Sequence, residues 1–62
     1  MYKHSIYNYE YEAEENYIVT NFINNQTYIM SKETYEKYKN FEKHLKDKEI
    51  KKMMELGFIV KE

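Results

Sequence analysis

The spacing of apolar and polar residues changes once along the chain, and that change divides it into two halves. From Ser5 to Tyr11 the pattern alternates. Ser5, Tyr7, Tyr9 and Tyr11 fall on one side, and Ile6, Asn8, Glu10 and Glu12 on the other. A period of two with abundant Tyr predicts a strand over about 5–11. Ala13-Glu14-Glu15-Asn16 is polar and reads as a turn. Tyr17 to Ile23 is rich in β-branched and aromatic residues and reads as a second strand, 17–23. Asn24-Asn25 then supplies a hairpin signal, because Asn tolerates the left-handed backbone of tight turns. Thr27 to Met30 completes a three-stranded antiparallel meander.

From Ser31 the period becomes helical. Ser31 is a candidate cap, with Glu33 in the first turn. Tyr35, Tyr38, Phe41 and Leu45 form one stripe of a helix over about 32–44. Lys32 with Glu36, and Glu33 with Lys37, are candidate i,i+4 pairs on its wet side. Asp47 reads as the cap of a second helix, 48–56, whose apolar side is Ile50, Met53, Met54 and Leu56. Gly57 reads as a left-handed terminator, with Phe58 folding back onto Met53. Phe58-Ile59-Val60 is expected to pack as an extended tail against the sheet. Strands first and helices after predict an α+β fold in a single small domain, 1–62.

Which sheet face the helices cover is left open by parity. Val19, Ile23, Tyr28 and Met30 share one face; Ile18, Phe22 and Ile29 share the other. A sheet covered on one side only should split more cleanly than this. The surplus apolar face therefore points to a partner or to a second copy of the chain.

Composition narrows the function classes. With 62 residues, no Cys, no Pro and one Gly, the chain can form neither disulfide nor thiolate metal site and shows no linker composition. Ile, Val and Leu total ten residues, and eight Tyr and three Phe make up the apolar supply. So thin a core can hardly enclose a substrate pocket, so no enzymatic activity is expected. No cofactor is implied. His4 and His44 lie far apart and read as surface residues. Glu10, Glu12, Glu14 and Glu15 read as a solvated strand face and turn, since no calcium-loop spacing is present.

Charge is unevenly placed. Residues 1–30 hold Lys3 against four Glu, a net of −3, and residues 31–62 hold nine Lys against seven acids, a net of +2. Lys46, Lys48, Lys51 and Lys52 cluster at the second helix, but Asp47, Glu49 and Glu55 are interleaved and Arg is absent. Arg is the best reader of guanine, and phosphate binding needs net positive contacts, so nucleic acid is not expected as a partner. No membrane-spanning run and no signal peptide is present, which fits the cytoplasm.

Motif order adds a resemblance. Tyr7-Asn8-Tyr9, Asn16-Tyr17-Ile18-Val19, Asn21, and Tyr28-Ile29-Met30-Ser31-Lys32-Glu33-Thr34-Tyr35, closed by Met54-Glu55-Leu56-Gly57-Phe58-Ile59-Val60, resemble the N-terminal region of radical-SAM/SPASM peptide maturases. That region is the RiPP recognition element, a PqqD-like winged-helix domain. The resemblance implies a meander followed by two or three helices. It also implies that the leader of a ribosomal precursor peptide binds by strand addition and is presented to a modifying enzyme such as a radical-SAM protein. Carried onto matching positions, the peptide-binding residues are Thr27, Tyr28, Ile29 and Met30 on the edge strand, with Ile50, Met53 and Met54 on the facing helix. The family's third helix has no counterpart pattern between Lys43 and Lys48, and no Cys is available for an iron–sulfur cluster. The rival reading is a small inhibitory or adaptor protein that binds a protein target, or pairs with itself as a homodimer, through the apolar sheet face.

Overall fold

A computed structural model describes residues 1–62. The fold is α+β, in the order β1 (Tyr2–His4), β2 (Asn8–Ala13), β3 (Asn16–Asn21), β4 (Gln26–Met30), α1 (Lys32–Lys39), a 3-10 turn (Phe41–Lys43), α2 (Lys48–Leu56) and β5 (Ile59–Lys61). Strands β2, β3 and β4 form the antiparallel meander, with β3 central. In its register Tyr11 faces Ile18 and Ile18 faces Ile29, while Glu10 faces Val19 and Val19 faces Tyr28.

The face covered by the helices is the one carrying Val19, Tyr28 and Met30. Val19 and Met30 are buried there with Tyr38, Phe41, Ile50, Met53, Phe58 and Ile59. Helix α1 lies over β2 and β3: Tyr35 stacks on Tyr17 with centroids 4.2 Å apart, and the Tyr38 hydroxyl donates to Glu10 at 2.7 Å. Helix α2 packs against β5 and α1 and reaches β4 through Glu49, whose Oε2 accepts from Tyr28 at 3.1 Å. Glu49 Oε1 accepts from Thr34 at 3.1 Å, so one carboxylate joins β4 to both helices.

Both helix starts follow their capping chemistry. Ser31 Oγ accepts from the Thr34 amide, and Asp47 accepts from the amides of Glu49 and Ile50. Helix α2 ends at Gly57, whose φ of 91° is open to glycine at little cost. The Phe58 amide then donates back to the Met53 carbonyl at 2.9 Å.

Four elements differ from the periodic reading. The first strand begins at Asn8, because Ser5 makes a turn: its carbonyl accepts from Asn8 N at 3.2 Å and its hydroxyl from Tyr7 N at 3.2 Å. The residues before that turn form β1, which pairs antiparallel with β5, Tyr2 opposite Lys61 and His4 opposite Ile59. The tail therefore builds a two-stranded ribbon of its own instead of lying along the meander. The second strand stops at Asn21, since the Asn21 side chain accepts from Ile23 N and Asn24 N and turns the chain. Phe22 and Ile23 consequently sit exposed in a four-residue loop, and Asn25 takes the left-handed conformation, φ 56°. The first helix ends at Lys39, and Phe41 reaches the core from the 3-10 turn while Leu45 is left exposed. That turn is all that stands in place of a third helix. The candidate pairs Lys32–Glu36 and Glu33–Lys37 are replaced by Lys37–Asp47 at 2.9 Å and Lys39–Glu36 at 3.5 Å.

The hairpin between β2 and β3 turns on Glu14 and Glu15, with Glu14 left-handed at φ 58°. A left-handed backbone costs a side-chain-bearing residue about 1–2 kcal/mol, partly offset by the greater unfolded-state entropy of glycine. Glu14→Gly is therefore expected to stabilise the fold by about 0.5–1 kcal/mol, read from the urea midpoint. Asn21 is 1 % exposed and bonded on both sides of its amide. Asn21→Leu removes at once the partner of Asn8 Oδ1, Ser5 Oγ and the Gly57 carbonyl, all part-buried, and is expected to cost about 3 kcal/mol or more in the same measurement.

Candidate functional site

The meander has two edges, β2 and β4, and the β1–β5 ribbon has its own. A bare strand edge exposes alternate N–H and C=O groups and invites pairing, and proteins commonly guard such edges with charge, Pro or bulges. Lys3 guards β1, Lys61 guards β5, and Glu10 and Glu12 lie on β2. Strand β4, Gln-Thr-Tyr-Ile-Met, is the one strand at an edge with no charged residue. It pairs only with β3.

The residues carried over as peptide-binding are divided by the fold. On β4, Ile29 points away from the helices and keeps 64 % of its surface. Thr27 is exposed beside it on the same face, its hydroxyl 3.4 Å from that of Thr20. Tyr28 is half-buried and directed at Glu49, and Met30 is buried in the core. On α2, Ile50 and Met53 have no exposed surface at all, so they cannot touch a ligand in this fold. Met54 is half-buried, but it follows Glu49 by five residues, about 140° around the helix, and so lies on the flank turned from β4. The residue by which α2 reaches β4 is instead Glu49, which accepts from Tyr28; the Leu56 carbonyl at the helix end accepts from Asn24 in the β3–β4 loop at 3.2 Å. None of the surface depressions lies between β4 and α2. What the structure brings together at β4 is an open backbone edge with Thr27 and Ile29 on one side of it and Tyr28 on the other.

Around that edge the outward face of the meander is wholly uncharged. By register it consists of Tyr9, Tyr11 and Ala13 on β2, Asn16, Ile18 and Thr20 on β3, and Thr27 and Ile29 on β4. In a chain that is 34 % charged this is a marked depletion. Glu10 and Glu12 take the opposite parity and face the helices. Tyr9 packs against Tyr11 and Phe22, with centroids 5.7 and 6.3 Å apart, so the aromatic surface continues onto the β3–β4 loop. Alternation puts Tyr9 and Tyr11 on one face, and the bonds from Tyr35 and Tyr38 of α1 to Glu10 turn the other face inwards and leave theirs open.

The titratable groups with perturbed protonation serve the fold. Burial, followed by the hydrogen bond to Glu10, holds the Tyr38 phenol well above the ordinary tyrosine range. Burial also raises Tyr28, helped by Glu49, and Tyr35, helped by Glu10. The hydrogen bond from Lys37 lowers the Asp47 carboxyl. His4 is occupied structurally, its ring stacked on Tyr38 at 4.3 Å and Nε2 2.8 Å from the Tyr38 carbonyl. No three His, Cys, Asp or Glu side chains converge as a metal site. No helix is long and apolar enough to cross a membrane.

The raised phenols set an alkaline limit on stability. Below about pH 10, the ordinary tyrosine value, they are neutral in both folded and unfolded chains. Above it the unfolded chain releases protons that the folded chain retains, so stability falls as pH rises. The urea midpoint is expected to decline progressively above about pH 10, and Tyr38→Phe to show a shallower decline. At the acid end the Asp47 contribution is present above its ordinary range and is lost as pH falls below about 4.

Set beside known proteins, the chain stands on its own geometry: no family model, no curated protein and no solved structure matches it.

Proposed function

We propose that this chain is a non-enzymatic recognition domain that captures an extended peptide by strand addition to the free edge of β4. The observation that carries the reading is the lack of any charged residue on β4, where the other edge strands each carry at least one. A peptide seated there would gain main-chain hydrogen bonds along β4 and place alternate side chains beside Ile29 and beside Tyr28. Main-chain pairing supplies affinity with little sequence demand, and the exposed Ile29 supplies an apolar contact that selects among peptides. The resemblance of the motif order to the RiPP recognition element supports a particular occupant. It is the leader of a ribosomal precursor peptide, held in the cytoplasm for a modifying enzyme, with a radical-SAM protein as the candidate. In this reading the contact residues are Thr27, Tyr28 and Ile29; Ile50 and Met53 support the sheet from the core.

A display library of short linear peptides, panned against the protein, supplies ligands for amide-shift titration. Shifts are expected to concentrate on residues 26–30 and on the β3 residues bonded to them. Ile29→Lys places a guarding charge on the edge and is expected to weaken binding at least about tenfold, or ~1.4 kcal/mol, without lowering stability. Met54→Ala, on the far flank of α2, is expected to leave affinity within about twofold. Shifts that avoid β4, or undiminished binding to the Ile29→Lys protein, would reject the proposal.

A further inference from the structure

The outward face of the meander is a larger surface that shares Thr27 and Ile29 with the β4 edge, and we infer that it is covered by a second copy of this chain, face to face. Three observations select that occupant. The first is chemical. The open face presents Tyr9, Tyr11, Ile18, Thr20, Thr27 and Ile29 and no charged side chain. An ionic partner, whether phosphate, acidic peptide or charged headgroup, finds nothing to pair with there, whereas a surface of the same composition does. Two identical faces meet that condition automatically, and a two-fold arrangement is the commonest oligomeric solution.

The second observation is area. Tyr9, Tyr11, Phe22 and Ile29 keep 57, 44, 67 and 64 % of their surface. At roughly 150–250 Å² for a whole aromatic side chain, this leaves about 500 Å² of mainly apolar surface per copy, and about 1,000 Å² for a pair. That is the size at which specific interfaces begin. It also matches the largest patch a monomer of ordinary surface tolerates.

The third is geometry. The face is built from strands alone, and no element of the same chain crosses it, since both helices and the β1–β5 ribbon join the core on the other side. Sheets stack at about 10 Å with their strands about 30° apart, and side chains from the two faces interleave. The row Tyr11–Ile18–Ile29 lies beside the row Tyr9–Thr20–Thr27, so large and small side chains mix across the face and can interleave with those of a second copy. Such a two-layer sandwich leaves both β4 edges open at its rim. The dimer uses the outward side chains and peptide capture the backbone of β4, with Thr27 and Ile29 common to both.

Sedimentation equilibrium from micromolar to near-millimolar protein tests this. The weight-average mass is expected to rise from the monomer value of 7.8 kDa towards twice that value. Tyr11→Lys, on β2 and remote from the β4 edge, is expected to hold the mass at the monomer value with an unchanged circular dichroism spectrum. Should that variant unfold, isotope-filtered NOEs in a mixture of labelled and unlabelled wild-type protein report the same contact. Intermolecular cross-peaks linking the Tyr9 and Tyr11 rings to Ile18 or Ile29 methyls are expected. A wild-type chain that stays monomeric throughout the range, or a dimer whose intermolecular contacts lie elsewhere, overturns the inference. Because Thr27 and Ile29 belong to both surfaces, the β4 titration is run on the Tyr11→Lys protein, where amide shifts along residues 26–30 report peptide capture alone.

Discussion

The amide of Asn21 closes the fold. Its Nδ2 lies 2.8 Å from Asn8 Oδ1, 3.1 Å from Ser5 Oγ and 3.3 Å from the Gly57 carbonyl. Its Oδ1 accepts from the amides of Ile23 and Asn24. One buried side chain thus fixes the turn before β2, the loop after β3 and the end of α2. Asn8 extends the network, donating to the Phe58 carbonyl at 2.8 Å and to the Tyr38 hydroxyl at 2.9 Å. Tyr38 passes it on to Glu10. No buried side-chain polar atom is left without a partner. In a chain with so few aliphatic residues, a fully satisfied network of this kind supplies the specificity that a larger apolar core would otherwise supply.

The tyrosines divide between two duties, and parity decides which. Tyr17, Tyr28, Tyr35 and Tyr38 face inwards, where their rings fill the space between sheet and helices and the hydroxyls of Tyr28, Tyr35 and Tyr38 reach Glu49 or Glu10. Tyr9 and Tyr11 face outwards, and their rings neighbour only Phe22 and each other among the aromatic side chains. The two carboxylates that satisfy the inward phenols sit on opposite sides of the core, Glu10 under α1 and Glu49 in α2. Glu10, which reads as solvated in isolation, is here the acceptor for the hydroxyls of Tyr35 and Tyr38.

Those elements whose signals are local were legible along the chain. Asp47 and Gly57 bracket α2 because capping and left-handed termination act within a few residues, and Ser31 opens α1 for the same reason. The meander order was legible from alternation. Strand β1 was not, because three residues carry no period and their partner lies at the other end of the chain. The strand ends at Asn8 and Asn21 were set by side-chain turns at Ser5 and Asn21, which override the β-propensity of Tyr7, Phe22 and Ile23. At the candidate site the edge position of β4 followed from the order of elements. The burial of Ile50 and Met53 and the orientation of Met54 depend on how α2 is rotated, which apolar spacing alone does not specify.

The pairing of β1 with β5 has a consequence for the way such a domain can be used. It brings the first and last residues together, the Glu62 amide donating to the Met1 carbonyl at 2.9 Å. The polypeptide therefore enters and leaves the fold at one point. A host protein could carry the whole unit within a surface loop without stretching that loop, and a short linker joining the two ends would permit new termini at the Glu14–Glu15 hairpin. β1 and β5 are joined across almost the whole chain, residues 2–4 with 59–61, so this pairing closes the longest loop in the fold and carries its largest closure entropy.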